Sequence, residues 1–121
     1  MGIGSLVALE INHLNENTVY FGGGNQVYKT YNGGDNWEVI GDATFQMLDI
    51  WCNDLVMDPT DTNRLFVASN NGLFLSTDGG NNFSSLLNGE IQEIEFHPVD
   101  PNMIYVIKEV GNHTEFYKSS D

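Results

Sequence analysis

The residues best suited to chemistry gather in one stretch, Gly41-Asp42-Ala43-Thr44-Phe45-Gln46-Met47-Leu48-Asp49-Ile50-Trp51-Cys52-Asn53-Asp54. Asp49 and Asp54 offer two carboxyl groups, and the Trp51 ring lies between them in the chain. Cleavage of a glycosidic bond uses two carboxyl groups about 5 to 9.5 Å apart, and an aromatic face can hold a sugar ring. Asp49 and Asp54 are therefore the catalytic candidates, and Trp51 is a candidate ligand-binding residue. The competing reading is structural, with Trp51 in a core and Asp54 accepting a hydrogen bond from a neighbouring loop. Asn70, Asn71, Glu109 and His113 are further candidates for ligand contact. Cys52 is the single cysteine, so no internal disulfide forms. Its apolar neighbours suit a buried thiol better than a nucleophile. His13, His97 and His113 are far apart, and no Cys/His group has metal-ligand spacing. No metal and no cofactor is expected, and His13 and His97 read as turn residues.

What must position these residues is written in a turn that occurs twice. Thr30-Tyr31-Asn32-Gly33-Gly34-Asp35-Asn36-Trp37 and Ser76-Thr77-Asp78-Gly79-Gly80-Asn81-Asn82-Phe83 share a hydroxyl at position one and Asp or Asn at three. Both carry a glycine pair, Asn at seven and a large aromatic at eight. A third copy starts at Ser119-Ser120-Asp121. The side-chain oxygen at position three accepts from backbone N–H groups of its own turn. The glycines permit positive φ, and the aromatic anchors the next strand. The motif therefore predicts a tight β-hairpin.

The similarity extends upstream. Ala8 to Trp37 lies over Asp54 to Phe83 without a gap, pairing Leu9 with Leu55, Asn17 with Asn63 and Val19-Tyr20-Phe21 with Leu65-Phe66-Val67. Ile94-Glu95-Phe96-His97-Pro98 then parallels Leu55-Val56-Met57-Asp58-Pro59. A period near 45 residues indicates propeller blades. The expected fold is all-β, with four-stranded antiparallel blades and about two and a half of them present: a partial β-propeller. Blade one spans about 5–40, blade two about 50–87 and an incomplete blade three about 91–121. The predicted strands are Leu6–Asn12, Thr18–Gly22, Gln26–Tyr31 and Asn36–Ile40, then Ile50–Asp58, Arg64–Ser69, Gly72–Thr77 and Asn82–Leu87. Ile91–His97, Met103–Lys108 and Glu115–Ser119 complete the set. Only Ala43 to Asp49 tolerates a helical turn.

This turn resembles the Asp-box, or BNR repeat, of the sialidase, xyloglucanase and sortilin-like β-propeller superfamily, whose form is Ser/Thr-x-Asp-x-Gly-x-Thr-Trp/Phe. Ser76, Asp78, Gly80 and Phe83 match it, as do Thr30, Gly34 and Trp37, while Asn32 stands in for the Asp. Ser119 and Asp121 open the third copy. The resemblance implies that these boxes are structural turns between the third and fourth strands, away from the ligand face. The functional rim then carries Gly22–Gln26, Gly41–Asn53, Ser69–Gly72, Leu87–Gln92 and Ile107–Glu115. Sialidases in this superfamily use three arginines and a Tyr nucleophile, whereas this chain has one arginine, Arg64. Xyloglucanase-type enzymes use paired Asp residues, and their catalytic context is not evident here. The Asn- and Gly-rich style resembles that of secreted bacterial surface proteins. The resemblance implies a secreted or cell-surface module that binds or scaffolds glycan or protein, with a xyloglucanase-like glycoside hydrolase fragment as the alternative.

Composition narrows the partners. Seventeen acidic residues against four basic ones give a formal charge of −13. Nucleic acid contact needs Lys and Arg along the bound surface, so no nucleic acid partner is expected. No apolar run is long enough to cross a membrane, and no signal peptide is expected within this sequence before the first strand. Propellers close with about four to eight blades, so the remaining blades are expected from a longer parent chain or from oligomerisation.

Overall fold

The protein, described by a computed structural model over residues 6–23 and 25–119, is built from eleven strands and one short helix. The expected start of blade one at residue 5 and the Asp121 of the third turn lie outside the described residues. Sheet one comprises β1 (Leu6–Ile11), β2 (Val19–Gly23), β3 (Gln26–Thr30) and β4 (Glu38–Val39). After the helix α1 (Ala43–Gln46), sheet two comprises β5 (Cys52–Asp58), β6 (Asp61–Ser69), β7 (Gly72–Ser76) and β8 (Ser84–Leu87). Sheet three comprises β9 (Glu90–Phe96), β10 (Ile104–Val110) and β11 (His113–Ser119). In each sheet, strands pair antiparallel in chain order. The chain is all-β apart from one helical turn.

Register shows how faithfully the repeat is kept. Across sheet one, Leu9 faces Phe21, Phe21 faces Tyr28 and Tyr28 faces Val39. Across sheet two, Leu55 faces Val67, Val67 faces Phe74 and Phe74 faces Ser85. Each residue of the second row follows its counterpart by the same 46 positions. Because strand side chains alternate between faces, Leu65 and Val67 of β6 point toward sheet one. Phe66 and Ala68 join the core shared with sheet three. Sheet two is thus covered on both faces, which explains the unbroken apolar run Leu65-Phe66-Val67-Ala68. One core unites Tyr20, Val27 and Ile40 with Leu55, Leu65 and Phe74. The other unites Phe66, Ala68 and Leu73 with Ile91, Ile94, Ile104 and Val106.

The strand ends differ from expectation in two informative ways. The fourth strands are short, Glu38–Val39 and Ser84–Leu87, because the Asn and aromatic at positions seven and eight still belong to the turn. The segment Ile107–Glu115 is not an extended loop. Its extra residues lengthen a hairpin in which Val110 pairs with His113 across Gly111-Asn112, with Gly111 at φ 62°.

The two complete turns share a common set of bonds. The Thr30 hydroxyl donates to Asn32 Oδ1 at 2.8 Å and accepts from Gly34 N–H at 3.0 Å. The Ser76 hydroxyl donates to Asp78 Oδ1 at 2.8 Å and accepts from Gly80 N–H at 2.8 Å. Asn32 Oδ1 accepts from Asn36 N–H at 3.0 Å, and Asp78 Oδ1 from Asn82 N–H at 2.9 Å. Each first glycine donates to an equivalent carbonyl, Gly33 to Asn17 and Gly79 to Asn63, both at 2.9 Å. Asn stands in for Asp in the first turn because these shared bonds need only an acceptor oxygen there, while Asp78 further accepts from Asn81 N–H and the Asn82 amide.

Candidate functional site

The stretch singled out from sequence forms the connection from sheet one to sheet two. Asp42 caps α1 by accepting from Phe45 N–H at 2.9 Å. The Gln46 amide donates back to the Gly41 carbonyl at 2.9 Å. Gly41 has φ 94°, and Asp49 is the one non-glycine among the described residues at positive φ, 54°. The left-handed residue turns the chain sharply after α1. Ile50 then drops into the core, and Trp51 is left outside, 51% exposed. The core reading of Trp51 is therefore set aside, since the buried position falls to its neighbour.

Asparagines at matching places in sheets one and two hold this connection from both sides. The Asn25 amide donates to Asp49 Oδ1. Asn71, its counterpart 46 positions on, donates to the Leu48 carbonyl at 3.1 Å. Asn70 makes a reciprocal pair with Trp51, accepting from Trp51 N–H at 2.7 Å while its own N–H donates to the Trp51 carbonyl at 3.2 Å. The strand-end turns thus fix the Trp51 backbone and leave the ring outward. Next to Asn71, Thr44, Leu48, Phe83, Ser85 and Asn88 line a groove of about 320 Å³. Phe45 and Phe83 stack at its base with centroids 4.1 Å apart.

Of the predicted residues, the structure brings together Asp49, Trp51, Asn70 and Asn71. Asp54 turns elsewhere. Its Oδ1 accepts from Leu55 N–H and its Oδ2 from Ile94 N–H of sheet three, both at 2.9 Å. The two aspartates thus face different neighbours, Asp49 toward sheet one and Asp54 toward sheet three. Glu109 and His113 lie on the β10–β11 hairpin. There Glu109 accepts from the Thr114 hydroxyl at 3.4 Å and His113 Nε2 lies 3.4 Å from Glu115. His97 is a turn residue: its Nδ1 accepts from Val99 and Asp100 N–H groups at 3.1 and 3.0 Å.

Glu10, which sequence reasoning did not single out, works in the same manner as Asp54. It reaches from β1 to sheet two, where its Oε2 accepts from Met57 N–H at 2.8 Å. β5 and β9 are edge strands of their sheets. Each therefore has an otherwise unpaired edge N–H that a carboxylate of the preceding sheet satisfies. Burial pushes the Glu10 carboxyl above its ordinary value; the Met57 bond pulls it down and the Asp54 charge pushes it up again. Cys52 is buried, and desolvation pushes its thiol up to about 12. That removes thiolate chemistry at neutral pH. Among the described residues no group of three His, Cys, Asp or Glu could hold a metal ion, and no helix is long and apolar enough to cross a membrane.

Solved structures share this fold. An ancestral GH74 enzyme superposes with a TM-score of 0.70 at 27% identity, over 88% of this chain and 13% of that one. The GH74 xyloglucanase of Xanthomonas campestris gives 0.74 at 12% identity, over 91% of this chain and 20% of that one. YCF48 from Cyanidioschyzon merolae gives 0.69 at 19% identity, over 99% and 35%. The three sheets are blades of a partial β-propeller, and the chain spans between 13% and 35% of these structures' own lengths. No family model matches the chain, and neither does any curated protein.

Proposed function

We propose that this chain is a segment of an Asp-box β-propeller that binds glycan or protein through the connection between its first two blades. The observation that carries the reading is the outward Trp51 ring on a backbone held by Asn70, beside a loop clamped by Asn25 and Asn71. A rigid aromatic face with amide and carboxylate groups near it suits stacking on a sugar ring and hydrogen bonding to its hydroxyls. The commitment of Asp54 to the Leu55 and Ile94 N–H groups argues for binding over hydrolysis. The Asp-box assignment is supported by the matched bonding of the two turns. On this reading the protein works at the cell surface or in secretion, with its remaining blades supplied by a longer parent chain or by assembly. It engages neither nucleic acid nor the membrane interior.

Affinity electrophoresis in gels containing xyloglucan or other soluble β-glucans, beside a glycan and peptide array, tests the reading. Retardation or capture that Trp51→Ala removes, with Tm unchanged, is the expected result. Binding that survives Trp51→Ala overturns the assignment of the site. The second reading, a glycoside hydrolase fragment, is favoured by the likeness to the ancestral GH74 enzyme. Sustained release of reducing sugar, abolished by Asp49→Asn or Asp54→Asn, would establish it in place of the first.

A further inference from the structure

Three asparagines of this chain precede glycine, in the pairs Asn32-Gly33, Asn71-Gly72 and Asn88-Gly89. Asn is a thermolabile side chain, and a following glycine offers the least hindered backbone nitrogen for attack on its amide. The fold holds two of the pairs. Asn32 Oδ1 accepts from the Thr30 hydroxyl and from Asn36 N–H, and Gly33 N–H donates to the Asn17 carbonyl at 2.9 Å. The Asn71 amide donates to the Leu48 carbonyl at 3.1 Å. Gly72 pairs with Ser69 at the start of β7, and its carbonyl accepts from the Ser69 hydroxyl at 3.0 Å. Asn88 is placed differently. It is exposed in the link from β8 to β9, and among the described residues neither its side chain nor the Gly89 N–H has a hydrogen-bond partner. Lys108 of β10 lies across Gly89, its Nζ 3.4 Å from where a Cβ on that glycine would stand.

We propose that Asn88 is a site of spontaneous deamidation, selected over Asn32 and Asn71 by the fold. The Gly89 nitrogen gives up its proton and bonds to Asn88 Cγ. The Cγ–Nδ2 bond breaks, and Nδ2 leaves as ammonia with that proton. Water then opens the five-membered imide at either carbonyl. The products are aspartate and isoaspartate, in which the main chain runs through the side-chain carbon. Nothing is oxidised or reduced. The Lys108 ammonium beside Gly89 favours the anionic nitrogen that starts the reaction, and no hydrogen bond has to break first. At Asn32 and Asn71 at least one must break, which slows the step roughly fivefold. The consequence is electrostatic. Asn88 lines the groove that also holds Thr44, Asn71 and Phe83, and none of its lining side chains carries a charge. Deamidation puts a carboxylate there, and the isoaspartate form adds a backbone carbon to the link between sheets two and three. The inference does not rest on the binding reading of the Trp51 loop.

The test holds the native chain at pH 8 and 37 °C for several days beside a sample in guanidinium chloride. Peptide mapping by mass spectrometry, with isoaspartyl methyltransferase labelling, follows all three asparagines. The expected result in the native chain is conversion at Asn88 roughly fivefold or more faster than at Asn32 or Asn71, with the preference lost in denaturant. Asn88→Gln should remove the fast conversion. Equal rates at the three sites in the native chain, an Asn88 that stays intact, or a preference that persists in denaturant overturns the inference.

Discussion

Replacing Asp78 separates the two roles that one carboxylate plays in the second turn. Its Oδ1 accepts from the Ser76 hydroxyl and from the Asn81 and Asn82 N–H groups, and its Oδ2 from the Asn82 amide at 2.8 Å. Asp78→Ala removes all four bonds. The turn is exposed, so water replaces part of what is lost, and the expected cost is about 2 kcal/mol, at the upper end for loss of a capping carboxylate. Asp78→Asn keeps the Oδ1 acceptor, as Asn32 does in the first turn, and gives up the charge. The Asn82 amide, then its N–H and the Ser76 hydroxyl, hold the Asp78 carboxyl down at about 2. At about 1.4 kcal/mol per pH unit this shift has an upper bound near 2.5 kcal/mol, which solvent screening of an exposed group reduces to about 1. Since the folded value is the depressed one, this stability is present above pH ~4 and is lost as pH falls toward 2. Urea denaturation at pH 7 should rank wild type, Asn and Ala in that order, with the wild-type advantage over Asn vanishing near pH 2. An Asn variant as damaged as Ala, or an advantage independent of pH, would refute the reasoning.

Other substitutions read other contacts. Gly22→Ala places a Cβ 2.4 Å from Cys52 Sγ, and chemical denaturation should show a loss of about 1–3 kcal/mol from overpacking. Native Cys52 should resist iodoacetamide at pH 8 and react fully in urea, as judged by intact mass, since its thiol is pushed up to about 12. Lys29→Met should cost about 1 kcal/mol by thermal melting, because Tyr20 still serves the Gly79 carbonyl once the ammonium bond is gone. Trp51→Ala should leave stability within about 0.5 kcal/mol while removing glycan retention.

The turn chemistry was legible because it is local: hydroxyl, acceptor and glycines act within eight residues, and the strands follow from the alternation around them. The contacts that join blades were not. Glu10 to Met57 and Asp54 to Ile94 span 47 and 40 residues, and nothing near Glu10 in the chain marks it as reaching across. Sequence placed Asp54 and Trp51 together and offered a structural alternative for each. Asp54 makes a bond of the structural kind, whereas Trp51 does not enter the core, because Asp49 in its left-handed conformation sends Ile50 inward instead. The lengthened β10–β11 hairpin was missed because its extra residues carry Lys108, Glu109 and His113, polar enough to read as loop though they continue the strand pairing.

The carboxylates at the inner edges bear on solubility as well as on joining blades. An unpaired strand edge is a template on which another chain can add a strand, and charge at that edge is a common guard against it. Glu10 occupies an N–H of β5 and Asp54 one of β9, and each brings negative charge to that edge in a chain already at −13. The bonds that fasten neighbouring sheets thereby also place on these edges the kind of charge that disfavours strand addition. The Glu10 carboxyl, which burial pushes above its ordinary value, gives up its charge on acidification, and its guard on the β5 edge goes with it.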